Sequence, residues 1–69
     1  MSEQIPAQVE EGLFNLAYER WSLGLTREEL QTATGVRADI IRAYEEGKGR
    51  PTRSKYNKLA EFFGWEVWE

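Results

Sequence analysis

Two residue types that enzymes and metal sites commonly use are missing, because the chain has no cysteine and no histidine among its 69 residues. The absence of cysteine excludes disulfides and thiolate metal sites, and it favours an intracellular, reducing compartment. The absence of histidine removes the commonest general base and the commonest metal ligand. The remaining residues show no nucleophile–base group, glycine-rich phosphate loop or metal cluster. We therefore predict no enzyme activity, no metal and no cofactor.

Long apolar runs are also missing. No stretch approaches the ~20 apolar residues that a membrane span needs, and the N-terminus lacks the basic and apolar regions of a signal peptide. We expect a cytoplasmic protein of a bacterial cell, with no membrane partner and no small-molecule substrate. A chain of this length buries only about 60% of its unfolded surface, so one small domain is expected.

The charge is acidic overall, with a net value of −3, but its distribution is uneven. Residues 1–36 sum to −4 and residues 59–69 to −3, whereas residues 37–58 sum to +4. A concentrated positive segment suits nucleic-acid phosphates, while the acidic remainder weakens non-specific binding and makes affinity sensitive to salt. The pattern favours a nucleic-acid binder whose contacts are concentrated in the positive segment.

The segment 25–51 has the pattern of two short helices joined by a tight turn. Thr26 and Glu29 have the spacing of a capping box, which predicts a first helix over 27–34. Gly35 supplies the positive φ at which helix C-termini commonly end.

The second helix of this pair is predicted over 37–46. Gly47 ends it, and Pro51 prevents its resumption. A helix, a short turn containing glycine and a second helix form the unit that lays its second helix in a DNA major groove.

Further helices are predicted on both sides of this unit. Upstream, Pro6 suits a first helical turn, and a helix follows as far as Gly24 with an inner face of Val9, Leu13, Leu16, Ala17, Arg20 and Trp21. Gly12 within it marks either the true start of the helix or a close packing contact. Downstream, Thr52 can cap a helix over 53–63 with Tyr56, Leu59, Ala60 and Phe63 inside.

The predicted fold class is all-α: a compact bundle of four or five short helices that contains a helix-turn-helix, followed by a short, extended, Trp-rich tail. The predicted organisation is a flexible N-terminus over 1–5, a helix-turn-helix DNA-binding domain over 6–63 and a C-terminal tail over 64–69.

From Leu23 to about Phe63 the chain resembles the lambda-repressor-like helix-turn-helix family, the Xre/Cro group. The positions that carry the resemblance, all at family spacing, are Leu25, Thr26, Leu30, Gly35, Val36, Ile41, Tyr44, Glu45, Gly47 and Pro51, with Leu59 and Ala60 after them. Within that family the chain resembles a small phage-type Cro-like repressor. It implies a sequence-specific regulator of transcription that binds double-stranded DNA.

Two positions depart from the family pattern. Gln31 stands where the family usually has alanine at a close helix crossing, and Thr34 replaces a small or apolar residue before the glycine. A buried, unpaired amide costs about 1–3 kcal/mol, so Gln31 must either reach solvent or form a hydrogen bond at the crossing.

The resemblance implies base contacts from the start and outer face of the second motif helix, at Arg37, Ala38, Asp39, Arg42 and Ala43. Arginine can pair with guanine, aspartate can accept a hydrogen bond from cytosine, and Ala38 can touch a thymine methyl. A half-site containing G·C pairs is weakly favoured. For Asp39 we favour an intrahelical pair with Arg42 over a base contact.

Phosphate contacts are expected from the capped end of the first motif helix and from the loop and helix after the second. The candidates are Thr26, Arg27, Lys48, Arg50, Arg53 and Lys55. The family's glutamate at the position of Glu45 pairs with an arginine near the end of the first helix. Arg20 stands at the matching place, so the resemblance implies a structural ion pair between them.

The tail GWEVWE is rich in residues that favour extended structure. Trp65, Val67 and Trp68 either fold back and close the core or form a candidate dimer interface, as a strand paired with that of a second copy. A helix-turn-helix monomer reads few base pairs, so we expect a weak homodimer on a two-fold symmetric operator.

Two alternatives stay open. The run from Gly35 to Glu45, followed by Pro51 and Arg53, also resembles the start of a MerR-type winged helix. In the other alternative, the protein is a protein-binding inhibitor or antitoxin module that uses its Trp-rich tail on another protein.

Overall fold

The computed structural model describes residues 6–69, and the predicted flexible N-terminus, 1–5, lies outside that range. The helices are α1 (Ala7–Phe14), α2 (Leu16–Ser22), α3 (Arg27–Thr34), α4 (Ala38–Glu45) and α5 (Arg53–Phe63). No strand is found among residues 6–69. The predicted all-α bundle is confirmed, with five helices because the first predicted helix is divided in two.

Asn15 divides the first helical segment. Its side-chain Nδ2 donates to the Glu11 carbonyl at 3.0 Å, the same carbonyl that its own backbone N–H reaches at 3.1 Å. Asparagine side chains that bond to nearby backbone compete with regular helix geometry. The Glu19 N–H still reaches the Asn15 carbonyl at 2.9 Å, so α1 and α2 follow each other closely. The single helix predicted here is therefore two short ones.

The capping box at the start of α3 is present. The Glu29 N–H donates to Thr26 Oγ1 at 3.0 Å, and the Thr26 N–H donates to Glu29 Oε1 at 2.8 Å. At the other end Gly35 has φ +83°, a conformation that a residue with a Cβ adopts only with strain. The α3 boundaries agree with those predicted from these local signals.

The two unusual residues of α3 both form hydrogen bonds at the turn. Gln31 is exposed, and its Oε1 accepts from the Ala38 N–H at 2.8 Å. Thr34 Oγ1 donates to the Leu30 carbonyl at 2.8 Å and accepts from the Val36 N–H at 3.1 Å. Since the N-cap residue Arg37 makes no side-chain capping bond, Gln31 provides one at the start of α4.

The core lies between the motif helices and the two segments that flank them. One cluster of buried side chains is Leu16, Leu30, Val36, Ile41, Tyr44 and Leu59, and a second is Val9, Tyr56, Ala60 and Trp68. Leu13 and Trp65 pack against both clusters.

Trp21, predicted to face inward, is 73% exposed, so that prediction is wrong. Arg20 of the same predicted face does point inward, and Trp21 is turned about 100° away from it around the helix.

The tail packs on α5 through hydrogen bonds from side chains. Asn57 Nδ2 donates to the Trp68 carbonyl at 2.9 Å, and the Trp68 N–H donates to Asn57 Oδ1 at 2.7 Å. The Tyr56 hydroxyl donates to the Glu66 carbonyl at 3.0 Å, and Gln8 Nε2 donates to the Val67 carbonyl at 3.3 Å. Residues 64–69 are not assigned to a strand, and the Asn57 amide supplies them with two hydrogen bonds of the kind that a neighbouring strand would give.

The tail tryptophans lie against their own domain. Trp68 is only 8% exposed, and the Trp65 ring stacks with Phe63 at a centroid distance of 4.9 Å. A Cβ added at Gly12 would lie 3.1 Å from the Trp65 ring, so this glycine lies in a close packing contact inside α1. Of the two interpretations of the tail, closure of the core is the one that matches this arrangement.

A cluster of three charged side chains joins α2, α3 and α4. Glu45 Oε2 lies 2.7 Å from Arg20 Nε, and Glu45 Oε1 lies 2.8 Å from Arg27 Nε. The Glu45 side chain is only 2% exposed, and Arg20 also donates to the Leu25 carbonyl at 2.8 Å. We call Arg20, Arg27 and Glu45 the Glu45 cluster. It holds the end of the second motif helix against the segments before it.

Substitution of the tail tryptophan tests closure of the core. Trp68→Ala should reduce the free energy of unfolding by about 3 kcal/mol, because it removes a large buried ring. Val67→Ala, at a 39% exposed neighbour, is the matched control and should change it by less than ~1 kcal/mol. Urea unfolding followed by circular dichroism measures both, and equal stability of the two variants would show that Trp68 does not close the core.

Substitution of Glu45 tests the cluster. Glu45→Ala leaves two arginines without their buried partner and should cost about 3–5 kcal/mol, which approaches the whole stability of a small domain. Glu46→Ala, at the next residue in an exposed setting, should leave the melting temperature nearly unchanged. Thermal melts of the two variants that superimpose on that of the parent would contradict a stabilising role for Glu45.

Candidate nucleic-acid interface

The outer side of α4 carries the side chains predicted to read bases. Arg37, Asp39 and Arg42 are exposed, and Ala38 and Ala43 are half-buried between them and the core. The opposite side of the helix is apolar, with Ile41 and Tyr44 in the main core cluster. All five predicted base-reading residues therefore lie at the start or on the accessible face of one short helix.

The charged residues of this face pair differently from the prediction. Arg37 Nη2 lies 2.9 Å from Asp39 Oδ2, and Arg42 Nε lies 3.0 Å from Glu46 Oε2. The predicted pair of Asp39 with Arg42 is wrong. Arg37 precedes the helix and can fold over its first turn, while Glu46 lies one turn beyond Arg42 on the same side.

Glu46 was not among the predicted site residues. Its carboxylate also lies 3.4 Å from Lys48 Nζ, and hydrogen bonds from Arg42 and then Lys48 hold the pKa of Glu46 below its ordinary value. The carboxylate therefore stays charged at neutral pH and balances two cations next to the outer face of α4. The four-residue spacing from Arg42 is the signal by which the sequence could have shown it.

Four of the six predicted phosphate-binding residues fall into two groups. Lys48 and Arg50 are exposed in the loop after α4. Arg27 and Arg53 have structural contacts: Arg27 lies in the Glu45 cluster with 37% of its side chain exposed, and the Arg53 guanidinium lies 5.6 Å from the centre of the Trp68 ring.

The remaining two predicted residues, Thr26 and Lys55, lie at the N-termini of α3 and α5. The charged side chains in the first turns of these two helices differ in sign. The Thr26 hydroxyl is used in the capping box, and the first turn of α3 also carries Glu28 and Glu29, which oppose a phosphate. The first turn of α5 carries Lys55 and no acidic residue, and Thr52 caps it by accepting from the Lys55 N–H at 3.1 Å. Of the two helix ends, that of α5 suits an anion better.

Within residues 6–69 no acidic side chains are grouped in a way that could hold a metal ion. None of the helices in the same part of the chain is long and apolar enough to cross a membrane.

Comparison with known proteins gives one match. The profile of a helix-turn-helix family matches residues 16–66, which span α2 to the tail. No curated protein and no solved structure shows a significant match. The matched region covers most of the chain and contains the capped α3, the turn at Gly35 and the exposed face of α4. The chain therefore belongs to the helix-turn-helix family of the lambda-repressor-like (Xre/Cro) type, a family of DNA-binding regulators.

Proposed function

We propose that the protein is a sequence-specific repressor that lays α4 in the major groove of double-stranded DNA. The observation that carries the proposal is the exposed face of α4, where Arg37 and Arg42 stand out from the second helix of a helix-turn-helix. An α-helix fits the major groove of B-form DNA, and arginine can make two hydrogen bonds to guanine there.

Base reading is assigned to Arg37, Ala38, Asp39, Arg42 and Ala43. Arg42 is the strongest candidate because it lies in the middle of the exposed face, and its present partner Glu46 is a surface carboxylate. Exposed ion pairs are weak, generally below about 1 kcal/mol, so Arg42 can exchange Glu46 for a base edge. Arg37 and Asp39 form a similar exposed pair at the helix start and can separate in the same way.

Phosphate binding is assigned mainly to Lys48 and Arg50, with the N-terminus of α5 and Lys55 beside them. Arg27 and Arg53 contribute less, because each has a structural contact in the folded domain. We assign the weakest contribution to Thr26, since its helix end is acidic. Contacts of this kind set register and affinity without reading sequence.

The two alternatives have less support. No strand is present within residues 6–69 to form the wing that a MerR-type reader needs, and a full helical segment precedes the motif. A protein-binding module built on the tail would need free tryptophans, whereas Trp68 is buried against α5. Two copies of the domain on a two-fold symmetric operator remain the proposed mode of binding.

Selection of DNA from a random pool, followed by titration of variants, tests the proposal. Arg42→Ala should cost about 1–3 kcal/mol on the selected site and relax the preference at one position. Arg50→Ala should weaken all sequences alike and lower the salt slope by about one. No enriched sequence together with no binding at low salt would reject the proposal.

Removal of the negative charge of Glu46, which balances Arg42 and Lys48, should strengthen DNA binding. Glu46→Gln should tighten DNA binding, by roughly three- to ten-fold at low salt, because one negative charge leaves the interface. Glu61→Gln makes the same charge change near the end of α5 and should have a much smaller effect. Fluorescence anisotropy with a labelled duplex measures both, and equal effects of the two variants would mean that only net charge matters.

A further inference from the structure

A row of aromatic side chains lies in solvent on the outer side of the first two helices. Phe14 is 87% exposed, Tyr18 66% and Trp21 73%. Tyr18 and Trp21 lie three residues apart on one face of α2, with their rings 6.5 Å apart, and Phe14 precedes Tyr18 by four residues at the end of α1. We call these three residues the aromatic stripe. A contiguous exposed apolar surface of this kind generally marks an interaction site.

We propose that the aromatic stripe is the surface through which two copies of this chain associate, with the α1–α2 segments antiparallel about a two-fold axis. The inference deepens the proposed function by naming the surface that pairs two copies, and it rests on that function only for its role on DNA. The association itself is a property of the free protein.

The spacing of the stripe makes it self-complementary in the antiparallel direction. A two-fold axis that passes between positions 17 and 18 brings Phe14 of one copy opposite Trp21 of the other. Tyr18 of each copy then lies beside the axis. Phe14 and Trp21 of the two copies then pair reciprocally, as a two-fold interface requires, and Tyr18 lies opposite Ala17 beside the axis.

The charges around the stripe favour the antiparallel over the parallel direction. Glu10 and Glu11 are exposed near the N-terminal end of the same helical segment. In the antiparallel register they lie opposite positions 25 and 24 of the second copy, past the end of α2 at Ser22. In a parallel register each would face its own counterpart, and like charges placed opposite each other repel.

A groove beside the stripe offers a place for a large ring. It has a volume of about 440 Å³ and runs between α1 and the loop after α4, with Leu13, Phe14, Tyr44 and Pro51 among its walls. Because Phe14 forms one wall, the antiparallel register brings Trp21 of the second copy to the mouth of this groove.

The size of the stripe predicts a weak dimer. Three aromatic side chains bury roughly 150–250 Å² each, about 450–750 Å² together, which is less than the ~800 Å² per partner in a standard stable interface. Association at high micromolar concentration is therefore expected for the free protein. Two copies held on adjacent half-sites would associate far more strongly, because their effective concentration is high.

Sedimentation equilibrium of the full chain without DNA is the first test. The parent should dimerise, and Trp21→Ala should raise the dissociation constant at least ten-fold while the helical circular dichroism stays unchanged, since Trp21 is exposed in the monomer. Phe62→Ala is the matched control, because Phe62 is a 40% exposed aromatic on α5 and lies outside the stripe. A parent that stays monomeric at millimolar concentration, or equal weakening by both variants, would overturn the proposal.

Cross-linking tests the direction, and the lack of native cysteine makes it unambiguous. Under mild oxidation Tyr18→Cys should form a disulfide-linked dimer, and a mixture of Phe14→Cys with Trp21→Cys should cross-link more than either variant alone. Efficient self-cross-linking of Phe14→Cys, with no gain in the mixture, would overturn the antiparallel arrangement. Since both tests use protein without DNA, failure of the dimer is distinguishable from failure of DNA binding.

Discussion

The orientation of α4 depends on a buried carboxylate that must keep its two arginine partners. Glu45 is the last residue of α4, and its side chain is 2% exposed between Arg20 of α2 and Arg27 of α3. A charge so far from water is tolerated only when it is paired and hydrogen-bonded, so the three helices must keep the arrangement that brings these groups together. Gln31 acts at the other end of α4 through its bond to the Ala38 N–H. The helix that would enter DNA is thus held at both ends by side chains from the preceding segments.

The surface of the helix-turn-helix combines cations with acids that balance them. Arg37 pairs with Asp39, and Arg42 and Lys48 share Glu46, all in solvent-exposed positions. Such pairs are weak enough to exchange for bases and phosphates, and they lower the positive field that would attract any DNA. In the proposed function, and for a chain with a net charge of −3, this arrangement would favour a DNA sequence that offers good hydrogen bonds over non-specific binding to the backbone.

The aromatic residues form two separate groups, one in the core and one on the surface. Tyr56, Phe63, Trp65 and Trp68 pack together where the tail crosses α5 and α1, and Asn57 holds the tail backbone in place. A domain this small has a limited core, so six tail residues add substantially to it. The aromatic stripe lies on the outer side of α1 and α2 and has no partner within residues 6–69. Closure of the core and the proposed association of two copies therefore depend on different side chains.

The sequence by itself determined the features that local chemistry controls. The capping box at Thr26, the left-handed turn at Gly35 and the bounds of α3 and α5 follow from interactions within a few residues, and the register of these signals identified the family. Only the tertiary structure decided which distant groups meet. Arg27 of α3 pairs with Glu45 at the end of α4, and the backbone N–H of Trp68 donates to the Asn57 side chain. Trp21 faces solvent because Arg20 takes the inward direction. A long side chain has several partners within reach, and the packing of the helices alone selects among them.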